Sequence, residues 1–221
     1  MVFQSFIGYN GLKYIEEVNL MDTQQEVKSE KKIARLISNI TQPPIVSIPT
    51  FAIINYILLG FNNSLVITLV CWIFGAFLPI ITSLILIRKM HTDMDITDRT
   101  KRTLPLFFAV CSYLIGFLVL LSMGAPALTT TLMLIYSTNT LIILFINLSW
   151  KISIHTMGVA GPTVTLTYLF GFPGLLFGLL IPLVMWSRVK LKKHTISQVL
   201  AGCFAGIILT FVQLYFILPL V

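Results

Sequence analysis

The chain has 221 residues, of which 57% are hydrophobic and only 10% are charged, and its net charge is +7. A soluble domain carries about 25% charged residues, so this chain has too few to cover a surface in water. The composition excludes the soluble, disordered and collagen-like classes and indicates an integral membrane protein. The excess of Lys and Arg is typical of cytoplasmic loops of membrane proteins, so no nucleic-acid partner is expected.

The first 43 residues mix acidic and basic side chains and precede the first long apolar run. We therefore divide the sequence into an N-terminal cytoplasmic or interfacial segment, 1–43, and a transmembrane domain, 44–221. Within the first segment, residues 31–40 carry apolar side chains at helical spacing on one face and basic side chains on another. This pattern predicts a short helix lying in the membrane interface. Its apolar positions are Ile33, Leu36, Ile37 and Ile40.

The hydrocarbon core of a bilayer is about 30 Å thick and requires roughly 20 apolar residues per helix. Five runs meet this length, and a sixth uncharged run, Thr156–Trp186, exceeds it. That run is too long for one modestly tilted helix, and the cluster Gly171-Phe172-Pro173-Gly174 breaks it. We split this run into short spans at 156–171 and 174–187, which a re-entrant hairpin also fits. The predicted fold is an all-α polytopic transmembrane helix bundle of six to seven spans. The long spans are Pro44–Phe61, Leu65–Ile87, Leu104–Ser122, Ala127–Trp150 and Val199–Val221.

Charge placement favours seven crossings over six. All 15 Lys and Arg residues lie in 1–43, in 88–103, at Lys151 and in 188–193. Seven crossings put all four places on the same side of the membrane, whereas six move 188–193 to the opposite side. Because cytoplasmic loops collect Lys and Arg, we expect a cell-membrane protein whose N-terminus and polar face are cytoplasmic.

Three short polar segments fall on this one face: 95–105, 150–155 and 187–198. His155 and His194 lie where the second and third segments re-enter the membrane, and small residues follow each of them. Small residues let helices approach closely, so we expect the two imidazole rings to meet beside the basic side chains. These small residues are Gly158, Ala160, Gly161, Ala201 and Gly202.

The order of residues in these segments resembles known motifs. The third segment contains Ser187-Arg188, then five residues, His194, three more residues and Gln198, and it continues as Val199-Leu200-Ala201-Gly202. This order resembles the third motif of the type 2 phosphatidic acid phosphatase and haloperoxidase superfamily. Ser153-Ile154-His155 resembles the second motif of that superfamily, and Arg99 to Pro105 resembles a loosened first motif. Each of the three motifs departs from the pattern. Gln198 replaces the usual Asp of the third motif, and Ile152 and Ile154 replace Pro and Gly of the second. In the first, Asp95 replaces a Lys and Pro105 is displaced from its Arg.

The resemblance implies a metal-independent lipid phosphate phosphatase that acts through a phosphohistidine. His194 is then expected to be the nucleophile, His155 the acid that protonates the leaving alkoxide, and Gln198 the residue that orients His194. Binding of the phosphoryl oxygens is assigned to Arg102, Arg188, Ser153 and Arg99. The implied substrate is a phosphomonoester or pyrophosphate of a membrane lipid, of phosphatidate or polyprenyl type, and no metal or cofactor is expected.

Other functions stay open from the sequence. An amide cannot neutralise a histidine cation, so Gln198 is also compatible with a catalytically weakened lipid-binding or scaffold protein. The spacing of Asp95 and Asp98 is compatible with a Mg²⁺-dependent prenyltransferase, although no second acidic motif follows. Asn139 and Asn147 lie inside the fourth span, where an amide is costly unless paired. They are expected to form interhelical hydrogen bonds or to line the site.

Overall fold

The computed structural model describes residues 25–91 and 98–221. Within these residues all regular secondary structure is helical, which confirms the predicted all-α class. The helices are α1 (25–40), α2 (Pro43–Trp72), α3 (Leu78–Lys89), α4 (Thr103–Ser122), α5 (Ala127–Ser149), α6 (Ile154–Phe170), α7 (Phe172–Leu175), α8 (Leu180–Lys190) and α9 (Ile196–Ile217). Short π or 3₁₀ turns connect or extend several of them, at Ile73–Phe77, Thr100–Arg102, Leu176–Leu179 and Leu218–Leu220.

Five helical stretches in the described part of the chain are long and apolar enough to cross a membrane. The protein is therefore a transmembrane helix bundle. The helix α6 has 17 residues and is not among the five. The five stretches are Pro43–Lys89, Thr100–Ser122, Ala127–Ser149, Phe172–Lys190 and Ile196–Leu220.

The first stretch folds back on itself at Gly60. This glycine has φ 73° and ψ 171°, a conformation that interrupts the helix and that L side chains rarely adopt. The halves on either side run antiparallel: Ser47 Oγ donates to the Gly75 carbonyl at 3.0 Å, and Asn55 Nδ2 donates to Thr68 Oγ1 at 3.1 Å. The reversal thus occurs just before the predicted loop at residues 62–64, since Gly60 alone makes the turn.

A second break occurs at Gly171, as the breaker cluster predicts. Gly171 has φ 66° and ends α6, and the chain then returns through α7 and α8 beside α6. The approach is close at Gly174, where a Cβ atom would lie 2.1 Å from the Leu166 carbonyl oxygen. Further along the same pair, Val159 packs near Val184 in one buried cluster. The α6 and α8 helices are therefore antiparallel neighbours.

The α6 and α9 helices pack side by side and run in the same direction, and glycines make their close approach possible. A Cβ atom on Gly202 would lie 2.4 Å from the Ser153 carbonyl oxygen, and one on Gly206 would lie 2.8 Å from Ala160 Cβ. Gly158 instead faces Pro43 of α2. Because the two helices are parallel, their N-termini lie together at one end of the bundle.

The main core lies between α2, α4 and α5. Tyr136 packs against Tyr113 and Phe51, with ring centroids 5.5 and 5.7 Å apart. A buried hydrogen-bonded group crosses this core, because Asn55 Oδ1 accepts from Thr129 while its amide donates to Thr68. Such paired amides hold helices together where no water is present.

Candidate functional site

One cavity begins at the end of the bundle where α4, α6 and α9 start. Its volume is about 180 Å³, and Arg102, His155, Arg188 and His194 all line it. The rest of the lining is mostly apolar and extends towards the middle of the bundle. The two histidines and two of the arginines predicted to act together therefore share one space. The apolar lining includes Pro105, Leu106, Ala109, Leu132, Ile135, Ile143 and Met157.

Backbone contacts bring the second and third predicted segments together. The Ser153 backbone N–H donates to the Gln198 carbonyl at 3.2 Å, which links the start of α6 to the start of α9. Arg102 of the first segment lines the same cavity as His155 and His194, so the described residues of the three segments meet at one end of the bundle. Residues 95–97 of the first segment, including Asp95, lie outside the described residues.

Gln198 fixes the position of the His194 ring. Its Oε1 atom lies 3.0 Å from His194 Nδ1 and also accepts from the Thr195 backbone N–H at 3.3 Å. A backbone N–H can only donate, so the amide atom at this position is the oxygen. His194 Nδ1 therefore carries the hydrogen, and in the neutral ring Nε2 keeps a free lone pair. A nucleophilic histidine requires this tautomer.

The environment of His194 keeps the ring neutral. Only 6% of the residue is exposed. Burial, together with the nearby Arg102 and Arg188 guanidinium groups, lowers the pKa of His194 to about 3, although the hydrogen bond to Gln198 acts in the opposite direction. A neutral imidazole beside two cations is an arrangement suited to receive an anion.

Arg188 is fully buried and is held by the N-terminal helix. Its Nη1 atom donates to Ser38 Oγ of α1. The preceding residue, Ser187, donates from Oγ to the Ala34 carbonyl of the same helix at 2.7 Å. Of the Ser187-Arg188 pair, Arg188 therefore lines the cavity and Ser187 attaches α8 to α1. Arg102 is also buried, with 4% exposed.

His155 is the second residue of α6 and lies at the cavity wall. Its Nε2 atom is buried and has no hydrogen-bond partner among the described residues. The ring lies near the backbone of Ser38. A buried nitrogen without a partner is costly, so a ligand or water in the cavity is the partner that this atom requires.

Two of the predicted phosphate-binding residues have other positions. Ser153 is fully buried as the N-cap of α6, where its Oγ lies 2.8 Å from Thr156 Oγ1 and accepts from the Thr156 backbone N–H. Arg99 donates from Nη1 to the Leu148 carbonyl at 2.8 Å, near the end of α5. Neither residue is part of the cavity lining.

Of the two asparagines of α5, Asn139 forms the interhelical hydrogen bond predicted for it, whereas Asn147 bonds to the backbone just before the 3₁₀ turn that leads into α4. Asn147 donates to the Arg99 carbonyl at 2.8 Å, and Asn139 donates to Thr210 Oγ1 of α9 at 3.1 Å. Asn139 also lines the deeper part of the cavity, near Tyr136, whose buried hydroxyl has no partner among the described residues. The inner end of the cavity is thus not wholly apolar.

Among the residues that the structure describes, no acidic side chain lines the cavity. Asp98 is exposed, and its carboxylate accepts from the Thr100 backbone at 3.0 Å and from the Thr100 hydroxyl at 2.8 Å. These hydrogen bonds lower the pKa of Asp98. Within residues 25–91 and 98–221 no group of three His, Cys, Asp or Glu side chains is placed to hold a metal ion.

Sequence reasoning missed Ser38 as a neighbour of the site. The prediction for α1 considered its apolar and basic faces, whereas the face that packs on the site carries Ala34, Ser38 and Thr41. These small residues recur at intervals of three and four, the spacing of a close helix contact. That spacing was the available signal, but it does not reveal which helix the face meets.

Comparisons of the chain with protein-family models, with curated proteins and with solved structures gave no match. The fold and the cavity therefore define its class by themselves: an all-helical membrane protein with a cavity that is basic at one end and largely apolar beyond it.

Proposed function

We propose that this chain is an integral-membrane lipid phosphatase that hydrolyses a phosphomonoester or pyrophosphate of a membrane lipid. The observation that carries the proposal is that Arg102, His155, Arg188 and His194 line one cavity whose remaining wall is mostly apolar. A lipid phosphate has the same division, with an anionic end and a hydrocarbon end. Residues 187–198 resemble a phosphatase motif, and this resemblance supports the same conclusion.

The charges of the cavity suit a phosphoryl group. Arg102 and Arg188 supply donors for the phosphoryl oxygens, and guanidinium groups match such oxygens in geometry. Charge on a transferring phosphoryl group spreads over three oxygens, so fixed cations stabilise its transition state. Binding of the phosphate dianion also favours a protonated His155, because an opposite charge stabilises an imidazolium.

The reaction that we propose has two steps. In the first, the Nε2 lone pair of His194 attacks phosphorus, the bond from phosphorus to the lipid oxygen breaks, and His155 gives its proton to that oxygen. In the second, water attacks the phosphohistidine, His155 accepts a proton from the water, and the phosphorus–nitrogen bond breaks. The products are a lipid alcohol (or a lipid monophosphate from a pyrophosphate) and inorganic phosphate, and both histidines return to their starting states.

We also propose seven membrane passages, with the N-terminus and the basic end of the cavity in the cytoplasm. The stretch Pro43–Lys89 supplies two passages, because its halves run antiparallel around Gly60. The helix α6 supplies another, although it is short. The Lys and Arg residues then lie on one side of the membrane, in agreement with the tendency of cytoplasmic loops to collect them.

A lipid-binding protein without turnover is the second candidate. It is favoured by the position of Ser153, whose hydroxyl is used in the N-cap of α6. It is also favoured by Gln198, because an amide oxygen orients His194 without neutralising the cation formed on phosphorylation. In this case the cavity would hold a lipid phosphate and release no phosphate from it.

The experiment measures phosphate release by the purified chain in excess chelator. The substrates are phosphatidate, lysophosphatidate, polyprenyl monophosphate and polyprenyl pyrophosphate. His194→Ala should abolish release. His91→Ala is the matched control, because His91 is exposed and outside the cavity, and it should release phosphate at the parental rate. Phosphate release that requires Mg²⁺ would contradict the proposal. Release of pyrophosphate, instead of phosphate, from polyprenyl pyrophosphate in the presence of Mg²⁺ would favour the prenyltransferase alternative. Binding without release from any substrate would favour the lipid-binding protein.

A further inference from the structure

The helix α1 has three faces with different surroundings. The face with Ala34 and Ser38 is buried against the bundle, with 0% and 3% exposed. The second face is apolar and open, because Ile33, Leu36 and Ile40 are 51%, 62% and 54% exposed. The third face is basic and exposed, and consists of Lys28, Lys31, Lys32 and Arg35. No other described element covers the apolar face.

The buried face of α1 is connected directly to the basic end of the cavity. Ser38 accepts from Arg188, and the carbonyl of Ala34 accepts from Ser187. Lys190, two residues further on, forms an ion pair with Glu30 of α1. A displacement of α1 would therefore remove a hydrogen-bond acceptor from a fully buried guanidinium group, which is costly for a buried charge.

The two open faces of α1 together fit one kind of partner. An apolar strip beside a basic strip on one helix is the pattern of helices that lie in a membrane interface. The acyl region covers the apolar side chains, and anionic headgroups attract the basic ones. Glu30, one of the two acidic residues of α1, is engaged by Lys190, so the exposed charge of α1 is predominantly positive. The complementary surface is an anionic leaflet.

We propose that α1 binds an anionic membrane surface and that this binding holds Ser38 against Arg188. The lipid composition of the leaflet is thereby coupled to the affinity of the cavity for a phosphate group. The surface binding does not depend on the proposed function, whereas the coupling rests on it.

Surface binding is tested on the full chain in vesicles of zwitterionic lipid, with and without an anionic lipid. A polarity-sensitive fluorophore is attached to Leu36→Cys on the apolar face, or to Asn39→Cys on the exposed polar side as a control. Cys111 and Cys203 are replaced by Ser, and the fully buried Cys71 is kept. The label at 36 should report an apolar environment in anionic vesicles, and the label at 39 an aqueous one. An aqueous signal at position 36 in anionic vesicles overturns surface binding.

Coupling is tested with inorganic phosphate as the probe, by measuring its affinity for the chain in both vesicles. Phosphate should bind about fivefold more tightly in anionic vesicles, within the usual range of coupling between sites. A negative surface repels phosphate, so this increase cannot arise from the surface potential alone. The triple variant Lys31→Gln, Lys32→Gln, Arg35→Gln should lose the difference, whereas the control Arg88→Gln, Lys89→Gln should keep it.

The role of Ser38 is separated from that of the surface by Ser38→Ala. This variant should bind phosphate equally in both vesicles, while the label at position 36 still reports an apolar environment. Equal phosphate affinity of the parent chain in the two vesicles overturns the coupling. A parent chain that binds no phosphate at all overturns the proposed function and the coupling together, whereas the labels still decide surface binding.

Discussion

Gln198 Oε1 accepts hydrogen bonds from His194 Nδ1 and from the Thr195 backbone N–H, at 3.0 and 3.3 Å. The second bond belongs to a capping box, in which the Thr195 side chain accepts in turn from the Gln198 backbone. One side chain thus caps α9 and orients the histidine that precedes it. Gln198, which stands where the motif that this segment resembles carries Asp, therefore has two tasks here, and variants can separate them.

We predict that Gln198→Leu lowers the rate of phosphate release by about 10²-fold or more, because the His194 tautomer is no longer fixed. Gln198→Asp should keep or raise the rate, because a carboxylate accepts the same N–H and stabilises the imidazolium. The matched control is Thr195→Ala, which removes the other half of the capping box without touching His194. It should cost about 1 kcal/mol of stability and leave the rate unchanged. Full activity in Gln198→Leu would assign the orientation of His194 to another residue.

We predict that the free energy of unfolding depends on pH, because the pKa of His194 differs between the folded and the unfolded chain. Burial and the nearby guanidinium groups lower its pKa to about 3 in the folded chain, against an ordinary value of 6.5. Between these values the unfolded chain binds a proton at His194 and the folded chain does not, so acidification favours unfolding. The apparent melting temperature in detergent should therefore fall less steeply from pH 6.5 towards pH 4 in His194→Gln than in the parent. His91→Gln, which alters an exposed histidine, should retain the parental slope; equal slopes in all three chains would contradict the prediction.

Much of the site could be predicted from the sequence, because the positions of the polar segments between the apolar runs indicate which helix ends meet. The single-sided distribution of Lys and Arg placed the polar segments on one face, and the resemblance to the third motif implied that Gln198, four residues after His194, orients the His194 ring. The structure gives the reason for this contact, because His194 precedes α9 and the capping box directs the amide towards it. Spacing alone does not distinguish a residue inside a helix from one just before it.

Other features of the site and the fold could not be predicted from the sequence, because they depend on tertiary packing. Ser153 has the residue type of a phosphate ligand, but the hydroxyl is used as the N-cap of α6. Ser38 lies 150 residues from Arg188 in sequence, and only the packing of α1 on α8 brings them together. Gly60 turns the first hairpin, whereas the predicted spans Pro44–Phe61 and Leu65–Ile87 left residues 62–64 for the turn.

We predict that Gly202→Ala disrupts the site without altering any residue of the cavity wall. The added methyl group would lie 2.4 Å from the Ser153 carbonyl oxygen, so the N-termini of α6 and α9 must separate. Such overpacking should cost about 1–3 kcal/mol of stability and displace His155 from His194, with loss of phosphate release. Leu200→Ala is the control, since this side chain of the same helix is exposed. A Gly202→Ala chain with parental activity would show that the separation of the two helices is not critical.

The last prediction concerns the side of the membrane on which the cavity opens. The count of Lys and Arg favours the cytoplasm, whereas the sites of proteins in the superfamily that the motifs resemble more usually face the outside or a lumen.

Lys192 is exposed beside the basic end of the cavity, and Met123 is exposed in the turn between α4 and α5, at the other end of the bundle. In a background with Cys111 and Cys203 replaced by Ser, a membrane-impermeant thiol reagent applied to intact cells should label Met123→Cys and not Lys192→Cys. Permeabilised cells should give labelling of both, which shows that position 192 is reactive. The reverse pattern in intact cells would place the cavity outside and contradict the orientation that the count of Lys and Arg predicts.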